Sequence, residues 1–390
     1  MGDRQSSKPQ APNARIVGIS AGVVDPLRTK GGLDGIGTYT EALFARVAEF
    51  GVVAKRVDSF HFDGYRLSVP RHADLRAALP MPIAVSLGAL ARTRTPGVRT
   101  IERAVDLYHA TDYMVPRLSR TPVVATVYDA IPIARPEWAN QRLRSLKNWL
   151  LGQSVGNADR VIAISEAARE EVITHYRIKF DRTRVVPLGI DESWFEPIDV
   201  ETLAGTLARR KLKPGYFLSV GTLQPRKNIG MLLDAYEGLP SALRDERQLV
   251  IVGKYGWNAE ELRQRLEQAR PDGRCIWLRY VPREELPHIY AGAGVFVLPS
   301  LAEGFGLPML EALASGIPAI ASDLPSLNEV GDGYVLYVRP NDKSSLMEAM
   351  AGVDALSVDE SHRTMRRQRA QEYTWRICAE RTVGVYDELW

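Results

Sequence analysis

Short β-branched runs alternate with longer segments of helical period along most of the chain. In the first unit, the strand ARIVGIS is followed by a glycine-rich turn, the amphipathic segment TYTEALFARVAEFG and a second strand, VAKRVDSF. This order predicts a βαβ unit, in which two parallel strands share one covering helix. Gly51 is expected to end that helix, because glycine readily adopts the left-handed conformation of a helix end.

The same alternation occurs twice, which predicts two doubly wound domains. Further strands in the first half are DLYHAT, PVVATVYD and RVIAIS, and Ser165 is expected to cap the helix after the last of them. The second half contains YFLSVG, RQLVIVG, CIWLRY, GVFVLPS, PAIAS and YVLYV. We therefore expect an α/β protein with two Rossmann-like domains, at residues 15–195 and 216–374, facing each other across a cleft.

The segments outside these domains have a different pattern. Residues 1–14 are polar and lack the apolar core of a secretory signal, so a short disordered leader is expected. Residues 196–215 hold few β-branched or aromatic residues and are interpreted as a linker with one helical turn. The segment at about 375–390 is predicted to be helical. The longest apolar stretches are far shorter than the ~18–20 residues that cross a bilayer.

Composition narrows the class of protein. Of 390 residues, 45% are hydrophobic and 25% charged, which excludes a disordered chain or a coiled coil. Fifty Lys and Arg against 47 Asp and Glu give a net charge of +3, which does not indicate a nucleic-acid-binding protein. Cys275 and Cys378 stand alone, so neither a disulfide framework nor a zinc site is indicated, and a reducing cytoplasm is the expected location.

Gly35, Ile36 and Gly37 open the first predicted helix of the first domain. Their backbone N–H groups, together with the helix dipole, suit a phosphate or a developing negative charge. The turn lacks the full G-x-G-x-x-G pattern, and no acidic residue closes a following strand in the clear ribose-binding position, so a dinucleotide site has only weak support. A tight turn that needs positive φ is the alternative interpretation.

Two adjacent cations, Arg226 and Lys227, follow the first strand of the second domain, in a loop that begins with Gly221 and Thr222. Arginine can bind two phosphate oxygens at once and lysine acts as a point charge, so together they can neutralise a leaving diphosphate without a metal. A solvated surface pair is the alternative.

Glu303 and Glu311 stand eight residues apart in the segment PSLAEGFGLPMLEA. Gly304 and Gly306 permit a tight turn after the strand GVFVLPS, and Pro308 starts a helix whose free N–H groups point back into the cleft. The two glutamates can therefore reach opposite ends of one extended ligand. A simple partner for the helix dipole is the alternative for Glu311.

These segments resemble glycosyltransferase family 4. EGFGLPMLEA resembles the E-x7-E motif of that family, and GTLQPRKN, VPLGID, YVPREELPHIYAGAGVFVLPS and SGIPAIASDLPSLNEV stand in its order and spacing. GGLDGIGTYTEAL and TVYDAIPIARPEW are similar to the subgroup that includes bacterial O-antigen mannosyltransferases of the mannosyltransferase-B type. The resemblance covers residues 15–390.

The resemblance implies a GT-B enzyme that transfers a hexose with retention from a nucleotide sugar, held mainly by the second domain, and a final helix that returns to the first domain. GDP-mannose is the expected donor, and a glycan of surface polysaccharide or lipopolysaccharide, lipid-linked, is the expected acceptor. Neither a cofactor nor a metal is expected, in agreement with the lack of a D-x-D pair. The inner face of the membrane is the implied place of action.

The family's residue roles transfer to matching positions of this chain. By resemblance, Arg226 and Lys227 replace a metal at the diphosphate, Glu303 contacts the transferred sugar and Glu311 the ribose. Gly35, Ile36 and Gly37 would close over the diphosphate. The other positions expected to bind the donor are Gly221, Thr222, Tyr280, Val281, Phe305, Gly306, Leu307 and Pro308.

One position departs from the family's pattern, since Tyr128 and Asp129 stand where many relatives have His-Asp. A phenol can donate a hydrogen bond, but it titrates at about 10 and is longer than imidazole, which puts its role at the donor sugar in question. Asp129 either stabilises positive charge in an oxocarbenium-like transition state or satisfies the following loop. His109, in DLYHAT, is predicted to face the cleft on the acceptor side, with a turn histidine as the alternative.

The segment from Arg142 to Leu151 combines basic positions with apolar ones that include Trp149. Such a segment suits peripheral contact with an anionic membrane, and ordinary helix packing is the alternative. Three other functions stay open: a rhamnosyl- or glucosyltransferase with another nucleotide sugar, a non-catalytic nucleotide-sugar-binding protein, and an NAD-dependent oxidoreductase that rests on the first glycine-rich turn alone.

Overall fold

The computed structural model describes residues 14–29, 33–63, 66–68, 70, 72–135, 138, 144–269, 272–353 and 359–390. The expected leader at 1–14, except its last residue, and the basic position Arg142 lie outside these residues. The strands are β1 (Arg15–Ser20), β2 (Val52–Ser59), β3 (His61–Asp63), β4 (Arg66–Ser68), β5 (Leu75–Ala77), β6 (Leu107–Ala110), β7 (Val123–Val127), β8 (Arg160–Ala163), β9 (Thr183–Val185), β10 (Tyr216–Val220), β11 (Leu249–Val252), β12 (Cys275–Leu278), β13 (Ala293–Leu298), β14 (Ala319–Ser322) and β15 (Leu336–Val338).

The α-helices within the same residues connect and cover these strands. They are α1 (Pro26–Thr29), α2 (Gly35–Arg46), α3 (Met81–Ala91), α4 (Arg99–Glu102), α5 (Ile131–Ala134), α6 (Arg144–Gly156), α7 (Glu166–Tyr176), α8 (Val200–Arg209), α9 (Ile229–Glu237), α10 (Ser241–Glu246), α11 (Glu260–Gln268), α12 (Leu286–Ala291), α13 (Leu307–Ala314), α14 (Pro325–Gly331), α15 (Lys343–Ala351), α16 (Glu360–Gln371) and α17 (Trp375–Asp387).

The N-terminal domain is built on a parallel sheet whose described strands run in the order β5-β2-β1-β6-β7-β8-β9. Its two faces carry separate cores. Helices α2 and α17 cover one face through residues such as Tyr39 and Trp375, whereas α3 and α6 cover the other through Val85 and Val155. The order in which successive strands are added to the sheet reverses between β1 and β6, so a crevice opens beyond their carboxyl ends.

The C-terminal domain repeats this architecture, with a parallel sheet in the order β12-β11-β10-β13-β14-β15 over the residues described. The runs LVIV and AGVFVL are almost wholly buried, as expected of strands covered on both faces. The order in which successive strands are added to this sheet reverses between β10 and β13. The predicted α/β class with two Rossmann-like domains is confirmed.

Residues 196–215 are more ordered than a linker with one helical turn. Helix α8 takes ten of them, begins at an Asp199 cap that accepts the Thr202 N–H at 2.8 Å, and buries Leu207. Leu203 and Leu207, four residues apart, lie on one side of the helix and supply the apolar contact. A Cβ on Gly292 would overlap the Leu207 side chain, so this helix packs closely on the end of α12.

The end of the chain packs on the N-terminal domain. Trp375 at the start of α17 contacts the Tyr39 ring, and Glu388 just beyond it pairs with Arg160 and Arg184 of β8 and β9. Ser165 caps α7 by accepting the Ala168 N–H at 3.0 Å. None of the helices in the described part of the chain has the length and apolar character to span a bilayer.

Candidate active site

A largely buried cluster of charge lies where β10 and β13 end side by side at the centre of the C-terminal sheet. Arg226 and Lys227 belong to a single 3-10 turn after β10, and Glu303 follows β13. Because parallel neighbours present their carboxyl ends at one edge, the two loops meet, and the Leu301 N–H donates to the Arg226 carbonyl at 2.7 Å. The cluster therefore stands at the reversal point where α/β sheets bind ligands.

Glu303 is the centre of this cluster. Its Oε1 accepts hydrogen bonds from Lys227 Nζ at 2.5 Å and Ser300 Oγ at 2.7 Å, and its Oε2 accepts one from Arg226 at 3.0 Å. Burial alone would raise the pKa of Glu303, but the charges of Lys227 and Arg226 outweigh it and lower the pKa to about 2. The carboxylate is ionised at neutral pH, and the three charged groups together carry one positive charge.

Lys227 is buried with its ammonium against Glu303. Burial lowers the pKa of Lys227, and the carboxylate of Glu303 offsets part of that effect. The aliphatic part of Lys227 lies over Gly221, where an added Cβ would meet Lys227 Cε at 3.4 Å. Gly221 thus supports the lysine stem by close approach, while neighbouring Thr222 is exposed.

The backbone between the two glutamates turns through Gly304 and Gly306. Gly306 has φ 100° and precedes α13, and an added Cβ would overlap Leu327, so glycine is required there on two counts. A Cβ on Gly304 would overlap the Tyr128 carbonyl oxygen. The Gly304 carbonyl also accepts a hydrogen bond from Ser165 Oγ at 2.8 Å, so the two domains touch at this turn.

Phe305, Leu307 and Pro308 complete the turn. The Phe305 ring is buried against Tyr373, so its side chain holds the loop and leaves only its backbone for a ligand. Leu307 begins α13 and Pro308 is its second residue. Leu307 also faces the N-terminal domain, because a Cβ on Gly35 would lie 3.7 Å from its side chain.

Glu311 lies in the second turn of α13 and is held by a neighbouring helix. Its Oε2 accepts the Tyr290 hydroxyl at 2.7 Å, and Tyr290 is fully buried on α12. Burial raises the pKa of Glu311 to about 7, with Tyr290 and Arg283 offsetting part of the rise. The carboxyl group therefore changes charge near neutral pH, which a dipole partner at an exposed helix end does not do.

This pKa predicts a specific dependence of stability on pH. The unfolded chain ionises Glu311 near pH 4.5 and the folded chain near 7, so the contribution of this group to stability is fully present below pH 4.5 and is lost as pH rises through 7. The loss from this group is about 3 kcal/mol. Glu311→Gln mimics the neutral acid, so the variant should lack this loss and be the more stable chain at pH 8. Urea unfolding of both chains at pH 5 and pH 8 measures this loss. The same change in the free energy of unfolding between the two pH values in both chains would contradict the raised pKa of Glu311.

Asp129 brings a carboxylate from the N-terminal domain toward the cluster. Its Oδ1 accepts the Ile131 N–H at 3.1 Å and the Tyr113 hydroxyl at 3.4 Å. Burial raises the pKa of Asp129, and the guanidinium of Arg226 offsets part of the rise. Asp129 therefore accepts a hydrogen bond from the loop that follows it and also interacts electrostatically with Arg226. Both of its predicted roles, in the loop and at the reacting centre, are compatible with this position.

Tyr128 does not direct its hydroxyl at the charged cluster. The hydroxyl donates to the Thr111 carbonyl at 2.8 Å, and the ring makes edge contacts with Tyr39 and Tyr113. The residue is buried. Its phenol is held by the core of the N-terminal domain, and its contribution at the domain boundary is the backbone carbonyl that faces Gly304.

The prediction that His109 faces the cleft is wrong. The ring is fully buried, with Nδ1 2.6 Å from the Tyr386 hydroxyl and Nε2 2.8 Å from Thr126 Oγ1. His109 shares the sheet face of Leu107, two residues earlier, and α17 covers that face. Burial lowers the pKa of His109 to about 3, so the ring stays neutral and joins the last helix to the sheet.

The start of α2 offers fewer free donors than the sequence suggests. Asp34 caps the helix and accepts the Gly37 N–H at 2.9 Å, which leaves Gly35 and Ile36 as the backbone groups nearest the opposite domain. Gly37 is needed for packing, since an added Cβ would lie 3.0 Å from the Val23 carbonyl oxygen. The preceding Gly31 and Gly32 lie outside the described residues.

At the far end of the candidate donor site, Tyr280 and Val281 follow β12. Tyr280 is 58% exposed, whereas Val281 is buried in the core. The phenol ring is thus accessible to a ligand, and Val281 serves to anchor the loop. Within the described chain, no three His, Cys, Asp or Glu side chains are grouped so that they could hold a metal ion.

Sequence reasoning missed the residues that hold the two glutamates. Ser300 binds Glu303, Ser326 donates to the Glu303 carbonyl at 2.6 Å, and Tyr290 binds Glu311. Ser300 stands three residues before Glu303, so its place in the motif was a usable signal. Tyr290 and Ser326 reach the site only through helix packing, for which one sequence carries no local signal.

Comparisons with known proteins agree with this geometry. The model of the family "Glycosyltransferase Family 4" matches residues 34–194, and that of "Glycosyl transferases group 1" matches 208–373. O-antigen chain mannosyltransferase B of Escherichia coli is 31% identical, over 92% of this chain and 97% of the relative. O-antigen chain mannosyltransferase RfbU of Salmonella typhimurium is 28% identical, over 63% of this chain and 64% of the relative.

Similarity of fold extends further than similarity of sequence. Sucrose-phosphate synthase from Thermosynechococcus elongatus superposes with a TM-score of 0.71 at 20% identity, covering 96% of this chain and 99% of that one. This likeness concerns the fold alone. Because two family models together span both domains and a 31% identical relative aligns over nearly its whole length, the chain belongs to glycosyltransferase family 4, with the GT-B fold.

Proposed function

We propose that this glycosyltransferase is a retaining mannosyltransferase that transfers mannose from GDP-mannose to a lipid-linked glycan in surface polysaccharide or lipopolysaccharide synthesis. The observation that carries the proposal is the buried cluster of Glu303, Arg226 and Lys227 at the carboxyl ends of β10 and β13. Support for mannose comes from two relatives that are named as O-antigen mannosyltransferases. The proposed place of action is the cytoplasmic face of the membrane.

The proposed reaction is a front-face displacement. The acceptor hydroxyl attacks the anomeric carbon, the bond from that carbon to the diphosphate oxygen breaks with its electron pair on that oxygen, and the hydroxyl proton passes to a leaving phosphate oxygen. Negative charge therefore grows on the diphosphate. Arg226 and Lys227 supply preorganised cations for it in a largely buried site, where such interactions are strong, so the proposed mechanism needs no metal.

The carboxylates have separate proposed roles. Glu303 orients the two cations and accepts hydrogen bonds from hydroxyls of the transferred sugar. Glu311 accepts hydrogen bonds from the ribose, a role that favours its ionised form. Asp129, from the N-terminal domain, lies within the electrostatic influence of Arg226 and Glu303, and its charge would stabilise positive charge at the anomeric carbon.

Product stereochemistry tests the proposed reaction most directly. The enzyme would be incubated with GDP-mannose and a synthetic lipid-linked acceptor in the presence of EDTA, and the new linkage would be read by nuclear magnetic resonance. The expected product keeps the α configuration of the donor. A β linkage would overturn retention, a strict requirement for added Mg²⁺ or Mn²⁺ would overturn metal independence, and transfer only from another nucleotide sugar would replace mannose with that sugar.

A further inference from the structure

An apolar helix on the surface of the N-terminal domain exposes large apolar side chains on its outer side. Helix α3, at Met81–Ala91, contains no charged residue, and its inner side packs Met81, Ala84 and Val85 into the core. A helix that is apolar on all sides is normally buried. Yet Ile83, Leu87 and Leu90 are 45%, 49% and 58% exposed.

These three residues form one stripe, because spacings of four and three residues place them on the same side of the helix. Helix α6 packs beside α3 on the same face of the sheet and adds two more exposed apolar residues, Leu146 and Trp149. We call these five residues the α3–α6 face. Isolated exposed apolar residues are common on proteins, but five of them on two helices that pack together indicate a contact surface.

The charge around the α3–α6 face is all of one sign along α3 and its flanks. From Leu75 to Ile101 the sequence contains no Asp or Glu, but it contains four arginines. Arg92, Arg94 and Arg99, which follow α3, are all exposed. An apolar stripe next to exposed arginines fits a surface that is apolar inside and anionic outside, as a bilayer with acidic headgroups is.

A second copy of the chain fits this face less well. A symmetric dimer would place the same patch on both sides, so the arginines of one copy would approach those of the other. An anionic bilayer offers the opposite charge. Trp149 also suits the headgroup region, where tryptophan is enriched.

We propose that the α3–α6 face docks this enzyme on an anionic lipid bilayer, with Ile83, Leu87 and Leu90 inserted among the acyl chains and Arg92 and Arg94 on the headgroups. This proposal rests on the proposed function only because a lipid-linked acceptor would have to be reached at the membrane. It shifts the membrane contact expected at Arg142–Leu151 toward α3, since the described part of that segment contributes only a flank.

Vesicle binding tests the docking with the full chain. Vesicles of phosphatidylcholine with phosphatidylglycerol should bind the wild type, and binding should fall at high salt. The triple variant Ile83→Gln, Leu87→Gln, Leu90→Gln should bind at least about tenfold more weakly, since three apolar side chains are lost from the interface. Arg92→Gln with Arg94→Gln should weaken binding about fivefold per residue, and only to vesicles that contain phosphatidylglycerol.

A matched control separates this face from exposed apolar residues in general. Val200 on α8 and Met365 on α16 are 76% and 41% exposed, and the double variant Val200→Gln, Met365→Gln should bind like the wild type. Thermal unfolding of each variant checks folding. Equal loss of vesicle binding in the triple variant and in this control would overturn the proposal. So would a wild type that does not bind vesicles and dimerises through the α3–α6 face.

Nucleotide binding distinguishes the failure of docking from the failure of the proposed function. GDP-induced thermal stabilisation does not involve the α3–α6 face, so the triple variant should keep it. A wild type that binds GDP but no vesicle contradicts docking alone. A wild type that binds vesicles but no nucleotide supports docking and contradicts the proposed function.

Discussion

Replacement of Lys227 with alanine should lower the turnover number by about 10²-fold or more. The ammonium is buried beside Glu303 and Arg226, at the edge of the sheet where the diphosphate is expected. Removing one preorganised cation from a developing oxyanion costs roughly 3–4 kcal/mol of transition-state stabilisation. Transfer of labelled mannose at saturating donor measures the effect.

The control for Lys227→Ala is Lys213→Ala, since Lys213 is an exposed lysine just before β10, at the opposite edge of the same sheet. Its turnover should equal that of the wild type. Circular dichroism at the assay temperature verifies that both variants are folded. Near-normal turnover in the folded Lys227→Ala variant would remove this residue from the proposed mechanism.

The second large effect concerns stability. Glu303→Gln should lower the free energy of unfolding by about 3–5 kcal/mol, because it leaves Lys227 and Arg226 without their buried counter-charge. The carboxylate and the ammonium side chains are only 7% and 9% exposed, so water cannot replace the lost interaction. Urea unfolding at neutral pH measures the difference.

A nucleoside diphosphate should restore part of that stability. Its negative charge replaces the lost carboxylate beside Arg226 and Lys227, so GDP should stabilise Glu303→Gln more than it stabilises the wild type. The matched control is Glu284→Gln, at an exposed position in a 3-10 turn, which should change stability by less than about 0.5 kcal/mol. An equally small change at Glu303 would mean that the cluster does not hold this site together.

Most of the fold could be predicted from the sequence, because short β-branched runs separated by longer segments of helical period specify parallel sheets. Four strands that the pattern did not reveal, β3, β4, β5 and β9, have three residues each, too few for a periodic signal. The length of helix α8 was underestimated because its apolar side carries only two leucines. Their role is clear only once α12, on which they pack, is known.

The charged cluster was predictable because adjacent parallel strands bring motifs together. Arg226 and Lys227 follow one strand, Glu303 another, and the sheet order joins them. His109 was misjudged because alternation along a strand says that neighbouring side chains point to opposite faces, not which face a later helix will cover. Here α17, some 270 residues downstream, covers it.

The apolar stripe of α3 was also missed. Its sequence, MPIAVSLGALA, is equally consistent with a buried core helix, and only the exposed fractions of Ile83, Leu87 and Leu90 distinguish the two. The long acid-free stretch around it was a signal that one sequence does contain. Its meaning depends on knowing which side of the helix the core occupies.

Thermal stabilisation by nucleotides, in EDTA, tests the central claim most directly. A ligand at 100 times its Kd adds about 2.7 kcal/mol to stability, so specific binding is readily measured. GDP and GDP-mannose should raise the unfolding temperature, whereas UDP and UDP-glucose should not. Stabilisation by the UDP compounds alone would contradict the proposed donor, and no stabilisation by any of the four would contradict transfer from a nucleotide sugar.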